Sequence, residues 1–206
     1  MKADATVFVV DDDPAARDSV AALVRSKGLP VDTYASAEQF LAAFDPNRTG
    51  CLVVDVRMTG MTGLDFQEVL RQRGSRLPII VITGFGDVPT AVRAMRAGAY
   101  TFLEKPCRDQ ELWSCIQKSL DAASQTQLAD NRKAEVEARL AHLTPDEQRV
   151  MREMVAGKPN KVIAAELDIG LRTVELRRAN VLKKMHADSL AELVRLALWV
   201  WQSPPG

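Results

Sequence analysis

Residues Leu77-Pro78-Ile79-Ile80-Val81-Ile82-Thr83 are apolar almost without interruption, so a strand formed here needs cover on both faces. Thr6–Val10 and the Cys51-Leu52-Val53-Val54 run share that property. Residues 31–35 and 99–103 supply two further short strand candidates. Helical segments lie between them. Pro14 opens one, with Val20, Leu23 and Val24 on a common face and Gly28 as its stop. Ser36 with Gln39 forms a capping-box pattern before residues 37–44. Residues 64–73 and 87–97 give two more, and Asp109 caps a fifth that starts near Gln110. Doubly covered strands alternating with helices predict an α/β fold with a five-stranded parallel sheet. Right-handed crossovers leave few strand orders, and the flavodoxin-like order 2-1-3-4-5 is expected.

Ligands of open parallel sheets sit beyond the carboxyl ends of the strands. The first strand ends at Asp11-Asp12-Asp13, the third at Asp55, the fourth at Thr83, and the fifth just before Lys105-Pro106. The expected order makes strands one, three and four neighbours. Carboxylates, a hydroxyl and an ammonium therefore gather in one crevice. Clustered carboxylates repel one another unless a cation is present, and an all-oxygen donor set suits Mg2+. A carboxylate beside Mg2+ and a lysine can attack phosphorus. The chain has neither a Walker-type phosphate loop nor a dinucleotide glycine fingerprint.

Formal net charge is zero, so no global field draws the chain to nucleic acid or membrane. The local balance differs: between Lys158 and Lys184 seven basic residues stand against three acidic ones. No leader pattern or membrane-length apolar run is read in the sequence. The three cysteines lack metal-site spacing, and a cytoplasmic, reducing location is expected.

The last third has a helical rhythm. Thr144-Pro145-Asp146-Glu147 carries N-cap, N1 and N3 signals, followed by Val150, Met151, Met154 and Val155 as an apolar stripe. Asn160 is expected to cap a short helix through Leu167, Asp168-Ile169-Gly170 to turn, and residues 171–185 to form a third helix. Ser189 caps a fourth. Two short helices joined by a tight turn give a helix-turn-helix layout. On the third helix Val174, Val181 and Met185 face inward, while Arg172, Glu175, Leu176, Ala179 and Lys183 face outward. Leu176 suits a thymine methyl in the major groove of double-stranded DNA, and Ala179 permits close approach. Lys158, Lys161, Arg178 and Lys184 are expected phosphate contacts. Thr173 lies at the start of the same helix.

Val9-Val10-Asp11-Asp12-Asp13, Val54-Asp55-Val56-Arg57-Met58, Ile82-Thr83-Gly84 and Glu104-Lys105-Pro106 resemble the receiver domain of two-component response regulators. Leu143-Thr144-Pro145, Val155-Ala156-Gly157, Asn160 to Ala164, Leu171 to Glu175 and Lys184-Met185 resemble the LuxR-type helix-turn-helix. Together they are similar to a response regulator of the NarL/FixJ type, nearest the FixJ side. The resemblance implies a receiver over 1–122, a helical linker over 123–142 and a four-helix DNA-binding domain over 143–206. It implies phosphorylation of Asp55 by a partner sensor histidine kinase, and Mg2+ held by Asp11, Asp12, Asp55 and the backbone carbonyl of Arg57. Thr83 and Phe102 would be switch residues, Lys105 a phosphoryl contact preceding a cis proline, and the phosphorylated form a homodimer. The implied dimer face holds Val92, Ala94, Met95 and Ala99. Enzyme activity beyond its own phosphoryl transfer and slow self-dephosphorylation is not expected.

Five departures stand out. Thr59 replaces a usual proline, Cys107 a common phenylalanine, Gly170 a frequent serine cap and Arg177 a frequent histidine, while Phe85 places an apolar ring two residues past the switch Thr, where it is expected to shield the phosphoryl group from water. Two other readings are an aspartate-nucleophile phosphatase of the haloacid dehalogenase kind, since Asp11 and Asp13 mimic its Asp-x-Asp signature, and a phosphate-independent DNA binder.

Overall fold

The computed structural model describes residues 5–84 and 88–202. The chain divides after Gln127 into two compact units. The first contains β1 (Thr6–Val10), α1 (Pro14–Ser26), β2 (Val31–Tyr34), α2 (Ala37–Ala43) and β3 (Gly50–Asp55). It continues with α3 (Gly63–Gln72), β4 (Ile79–Thr83), α4 (Val88–Arg96), β5 (Thr101–Glu104) and the start of α5 (Asp109–Ala141). The sheet is parallel throughout, with order β2-β1-β3-β4-β5, the order that the apolar runs predict.

Alternation along the buried strands divides the core in two. Phe8, Val10, Leu52, Val54 and Val81 pack with Phe40, Phe66, Leu70 and Ala94 of α2, α3 and α4. Val7, Val9, Val53, Ile80 and Ile82 pack with Val24 of α1 and Leu112, Ile116 and Leu120 of α5. Period-two side-chain direction requires this split when both faces are covered. The strand over residues 77–83 is shorter than its apolar run, because Leu77 and Pro78 precede the ladder. The Pro78 carbonyl still accepts from the Leu52 amide.

The second unit contains the end of α5, α6 (Pro145–Val155), α7 (Asn160–Glu166), α8 (Leu171–Met185) and α9 (Leu190–Gln202). Its core joins Val150, Met151 and Met154 of α6 to Ile163 of α7, Val174, Val181 and Met185 of α8, and Leu193 and Ala197 of α9. Val136 and Leu140 of α5 pack into the same core. The second half of the segment set out as a linker is therefore part of this unit's packing, and is not a solvated extension. Thr144 and Glu147 close a full capping box on α6. The expected Asn160 cap is corrected: Pro159 is the N-cap residue of α7, and no side chain caps that helix.

Candidate phosphoacceptor site and reading helix

β1 and β3 are neighbours in register, so their ends bring Asp11 and Asp55 together. Both carboxylates are buried. The Lys105 ammonium, just beyond β5, lies 2.8 Å from Asp11 Oδ2 and 2.7 Å from Asp55 Oδ1. The second Asp55 oxygen accepts the Arg57 amide at 2.6 Å. Asp11 is fixed as well: its Oδ1 accepts the Asp13 amide, and Arg17 donates to its backbone carbonyl at 2.7 Å. Lys105-Pro106 is a cis bond, and the Lys105 amide donates to the Thr83 carbonyl at 2.7 Å. Thr83 is buried at the end of β4, and Phe102 of β5 is partly buried against the α2–α3–α4 side of the core.

Electrostatics follow from this packing. Burial raises the Asp55 pKa, opposed by Lys105 and helped by the Asp11 charge. Burial alone disfavours the Lys105 ammonium, yet its bonds to Asp11 and Asp55 outweigh that and raise its pKa. Lys105 therefore remains a cation while Asp55 becomes a more basic carboxylate.

Asp12 stands apart. Its Oδ2 accepts both the Thr59 amide, at 2.8 Å, and the Thr59 hydroxyl, at 2.7 Å. The hydroxyl bond, followed by the amide bond, lowers its pKa. Among the described residues no three carboxylates, cysteines or histidines converge as a metal cluster. Asp11 and Asp55 both bond Lys105, and Asp12 bonds Thr59. The donor chemistry still fits a hard divalent cation, because every carboxylate and carbonyl of the expected set offers oxygen. Asp13 points to a different role, since its exposed carboxylate caps α1 through the Ala15 amide. It therefore cannot serve as the second aspartate of a dehalogenase-type phosphatase. Phe85 lies outside the described residues.

In the second unit, Arg172, Glu175, Leu176, Ala179 and Lys183 form an exposed face of α8, with Leu176 62% accessible. Thr173 and Arg178 border that face half-exposed, and Lys161 is exposed on α7. Two expected phosphate contacts are otherwise engaged. Lys158 bridges Glu153 at 2.6 Å and Glu166 at 2.5 Å, and Lys184 pairs with the buried Glu147 at 2.6 Å. Arg177 is bonded to Asp146, which also takes Arg149. Arg177 and Lys184 lie two helical turns apart, so these pairs fix α8 on the first turn of α6. The capping role of Glu147 is readable from its spacing to Thr144. Its bond to Lys184, 37 residues away, leaves no local pattern.

Residues 7–117 match the family described as "Response regulator receiver domain", and residues 141–197 match "Bacterial regulatory proteins, luxR family". Transcriptional regulatory protein FixJ of Azorhizobium caulinodans is 46% identical over 198 residues, covering 96% of this chain and 94% of the relative. Response regulator protein TodT of Pseudomonas putida is 40% identical over 190 residues, covering 92% and 84%. The solved structure of response regulator StyR is 41% identical, covers 94% of this chain and 98% of its own, and superposes with a TM-score of 0.87. A sheet whose strand ends gather Asp11, Asp55, Thr83 and Lys105, followed by a LuxR-type helix-turn-helix, thus belongs to the two-component response regulators of transcription.

Proposed function

We propose that the protein is a DNA-binding transcription factor switched by phosphorylation of Asp55, with a sensor histidine kinase as donor. The observation that carries this reading is Lys105 bridging Asp11 and Asp55 where β1, β3 and β5 end. In the transfer, an Asp55 carboxylate oxygen forms a bond to phosphorus as the phosphorus–nitrogen bond to the kinase histidine breaks, and the imidazole leaves with the electron pair. Burial makes Asp55 the more basic nucleophile. The Arg57 amide orients its carboxylate, and Lys105 neutralises phosphoryl oxygens that develop beside it. Thr83, buried at the end of β4, would donate its hydroxyl to the phosphoryl group. Asp11, Asp12, Asp55 and the Arg57 carbonyl would hold Mg2+, which when bound supplies further charge neutralisation.

The proposed receiver spans 1–122 and the proposed reader 143–206, with 123–142 between them; the second half of that segment, through Val136 and Leu140, packs into the reader's core. Thr83 moving toward a phosphorylated Asp55 would let Phe102 rotate and reshape the surface of α4 and β5. That surface exposes Val88, Val92, Met95 and Tyr100. The face expected from sequence is corrected here, since Ala94 and Ala99 are buried in the core. Dimerisation through this surface would pair two α8 helices on a two-fold DNA site. Lys161, Arg172, Thr173, Arg178 and Lys183 would contact the backbone, and Glu175, Leu176 and Ala179 the base edges. The proposed setting is the cytoplasm, where kinase domain and DNA are both accessible. Among the described residues no helix is long and apolar enough to cross a membrane.

Labelling with acetyl phosphate tests the reading. Parent protein is expected to take label with Mg2+ and none in EDTA, and Asp55→Asn to take none. Full labelling of Asp55→Asn, or in EDTA, overturns it.

A further inference from the structure

We propose that Thr59 sets the Mg2+ affinity of the acidic site by competing with the cation for Asp12. This rests on reading Asp11, Asp12 and Asp55 as the cation-holding carboxylates. Thr59 delivers two donors to a single oxygen, its amide at 2.8 Å and its hydroxyl at 2.7 Å from Asp12 Oδ2. An ionised carboxylate oxygen offers two lone-pair directions, so these donors fill it. A cation then has two routes to Asp12. It takes the other oxygen, whose charge the two donors have drawn toward themselves, or it displaces Thr59 from Oδ2. Both routes cost affinity.

The donors are not on a loose segment that follows the carboxylate freely. The Met61 amide donates to Glu38 Oε1 at 3.2 Å, which ties the loop to α2. The Gly63 amide donates to the Val56 carbonyl at 2.9 Å, which ties it to the end of β3. Thr59 is thus held beside Asp12 from both sides. Asp11 and Asp55 share Lys105, whereas Asp12 Oδ2 is bonded to Thr59. A proline at this position would offer neither donor. The threonine of this chain introduces both.

Calorimetric titration of the unphosphorylated full chain with MgCl2 alone, at fixed ionic strength, tests this. Thr59→Val removes the hydroxyl with little change of shape, and the Mg2+ Kd is expected to fall about three- to tenfold, a charge-assisted hydrogen bond discounted for its exposure. Thr59→Ala should move in the same direction. Thr59→Ser keeps the hydroxyl and should bind within about twofold of the parent. Asp12→Asn tests the site itself and should weaken Mg2+ by about tenfold or more. If Asp12→Asn binds like the parent, the carboxylate assignment fails and the competition fails with it. If Asp12→Asn loses affinity while Thr59→Val binds Mg2+ no more tightly than the parent, the site stands and Thr59 is a positioning partner of Asp12 instead, which overturns the proposal.

Discussion

Replacing Gly63 with alanine should damage the end of β3 directly, because Gly63 opens α3 against the backbone of Asp55. A Cβ at this position would lie 2.1 Å from the Asp55 carbonyl oxygen, 3.0 Å from its carbonyl carbon and 3.1 Å from Val56 Cα. Side-chain carbons essentially never approach closer than 3.0 Å, so the oxygen contact has to open from 2.1 Å to at least that value. The obstacle is main chain and cannot rotate away. The end of β3 is also tied into the sheet, with the Val56 amide bonded to the Ile82 carbonyl at 3.0 Å. Either α3 shifts and disturbs the packing of its own Phe66 and Leu70 against the sheet, or Asp55 leaves the β3–β4 ladder. Overpacking costs about 1–3 kcal/mol where side chains can adjust, and about 3 kcal/mol is expected here. For a unit of this size that lowers Tm by about 10–15 °C.

Scanning calorimetry on the full chain reads the effect, with the second unit's transition as an internal reference that should not move. Gly74→Ala separates the clash from simple backbone strain. Gly74 has φ +74° with nothing within 4 Å of an added Cβ, so its cost should be only about 1 kcal/mol. Gly63→Ala should also take acetyl phosphate label more slowly, since the displaced backbone carries Asp55, the proposed nucleophile. A Gly63→Ala protein no less stable than Gly74→Ala, and labelled at the parent rate, would refute the argument from close approach.

Three further outcomes follow from the same geometry. Asp55→Asn should stabilise the magnesium-free protein at pH 7 by about 1 kcal/mol, because it removes a buried charge while Asp11 still pairs with Lys105. The sign follows from burial raising the Asp55 pKa: the folded protein holds that proton more tightly than the unfolded chain, so the contribution of Asp55 is favourable in acid and lost as pH rises. The gain should therefore vanish as pH falls through the folded Asp55 value, and a lower melting temperature at pH 7 would contradict it. Thr83→Ala should accept label yet sediment as a monomer, whereas dimerisation like the parent would break the proposed link between Thr83 and the α4–β5 surface. Lys161→Ala should weaken binding to all DNA sequences and reduce the salt slope by roughly 1, whereas Leu176→Ala should alter sequence preference by about 1–3 kcal/mol. Equal losses on specific and random DNA for both variants would remove the distinction.

The legible parts of this protein share a physical character. Strand order follows from apolar runs that require two covered faces, and the position of Asp55, Thr83 and Lys105 follows from strand ends in a parallel sheet. Both are properties of the chain read a few residues at a time, combined with a topological rule of strong handedness. The core side of α8 was legible for the same reason, since Val174, Val181 and Met185 repeat with the helix.

Long-range polar pairing behaves differently. Lys158, Arg177 and Lys184 look alike in sequence to Lys161 and Arg178, yet the first three are held by Glu153 and Glu166, Asp146, and Glu147. A basic residue near a reading helix is available to a phosphate only if no carboxylate reaches it first, and that depends on how α6, α7 and α8 pack. Thr59 presents the same problem in the receiver. Its substitution for proline reads as a change in loop stiffness, whereas its contacts make it a partner of a carboxylate 47 residues earlier. Ala94 of α4 and Ala99, between α4 and β5, present the same problem, because small apolar residues read alike until the packing decides which are buried. Charge count therefore overstates the proposed DNA-contacting surface of this chain. The positions that combine exposure with no acidic bond among those seen for α6–α8, chiefly Lys161, Arg172 and Lys183, are where salt-dependent binding should concentrate.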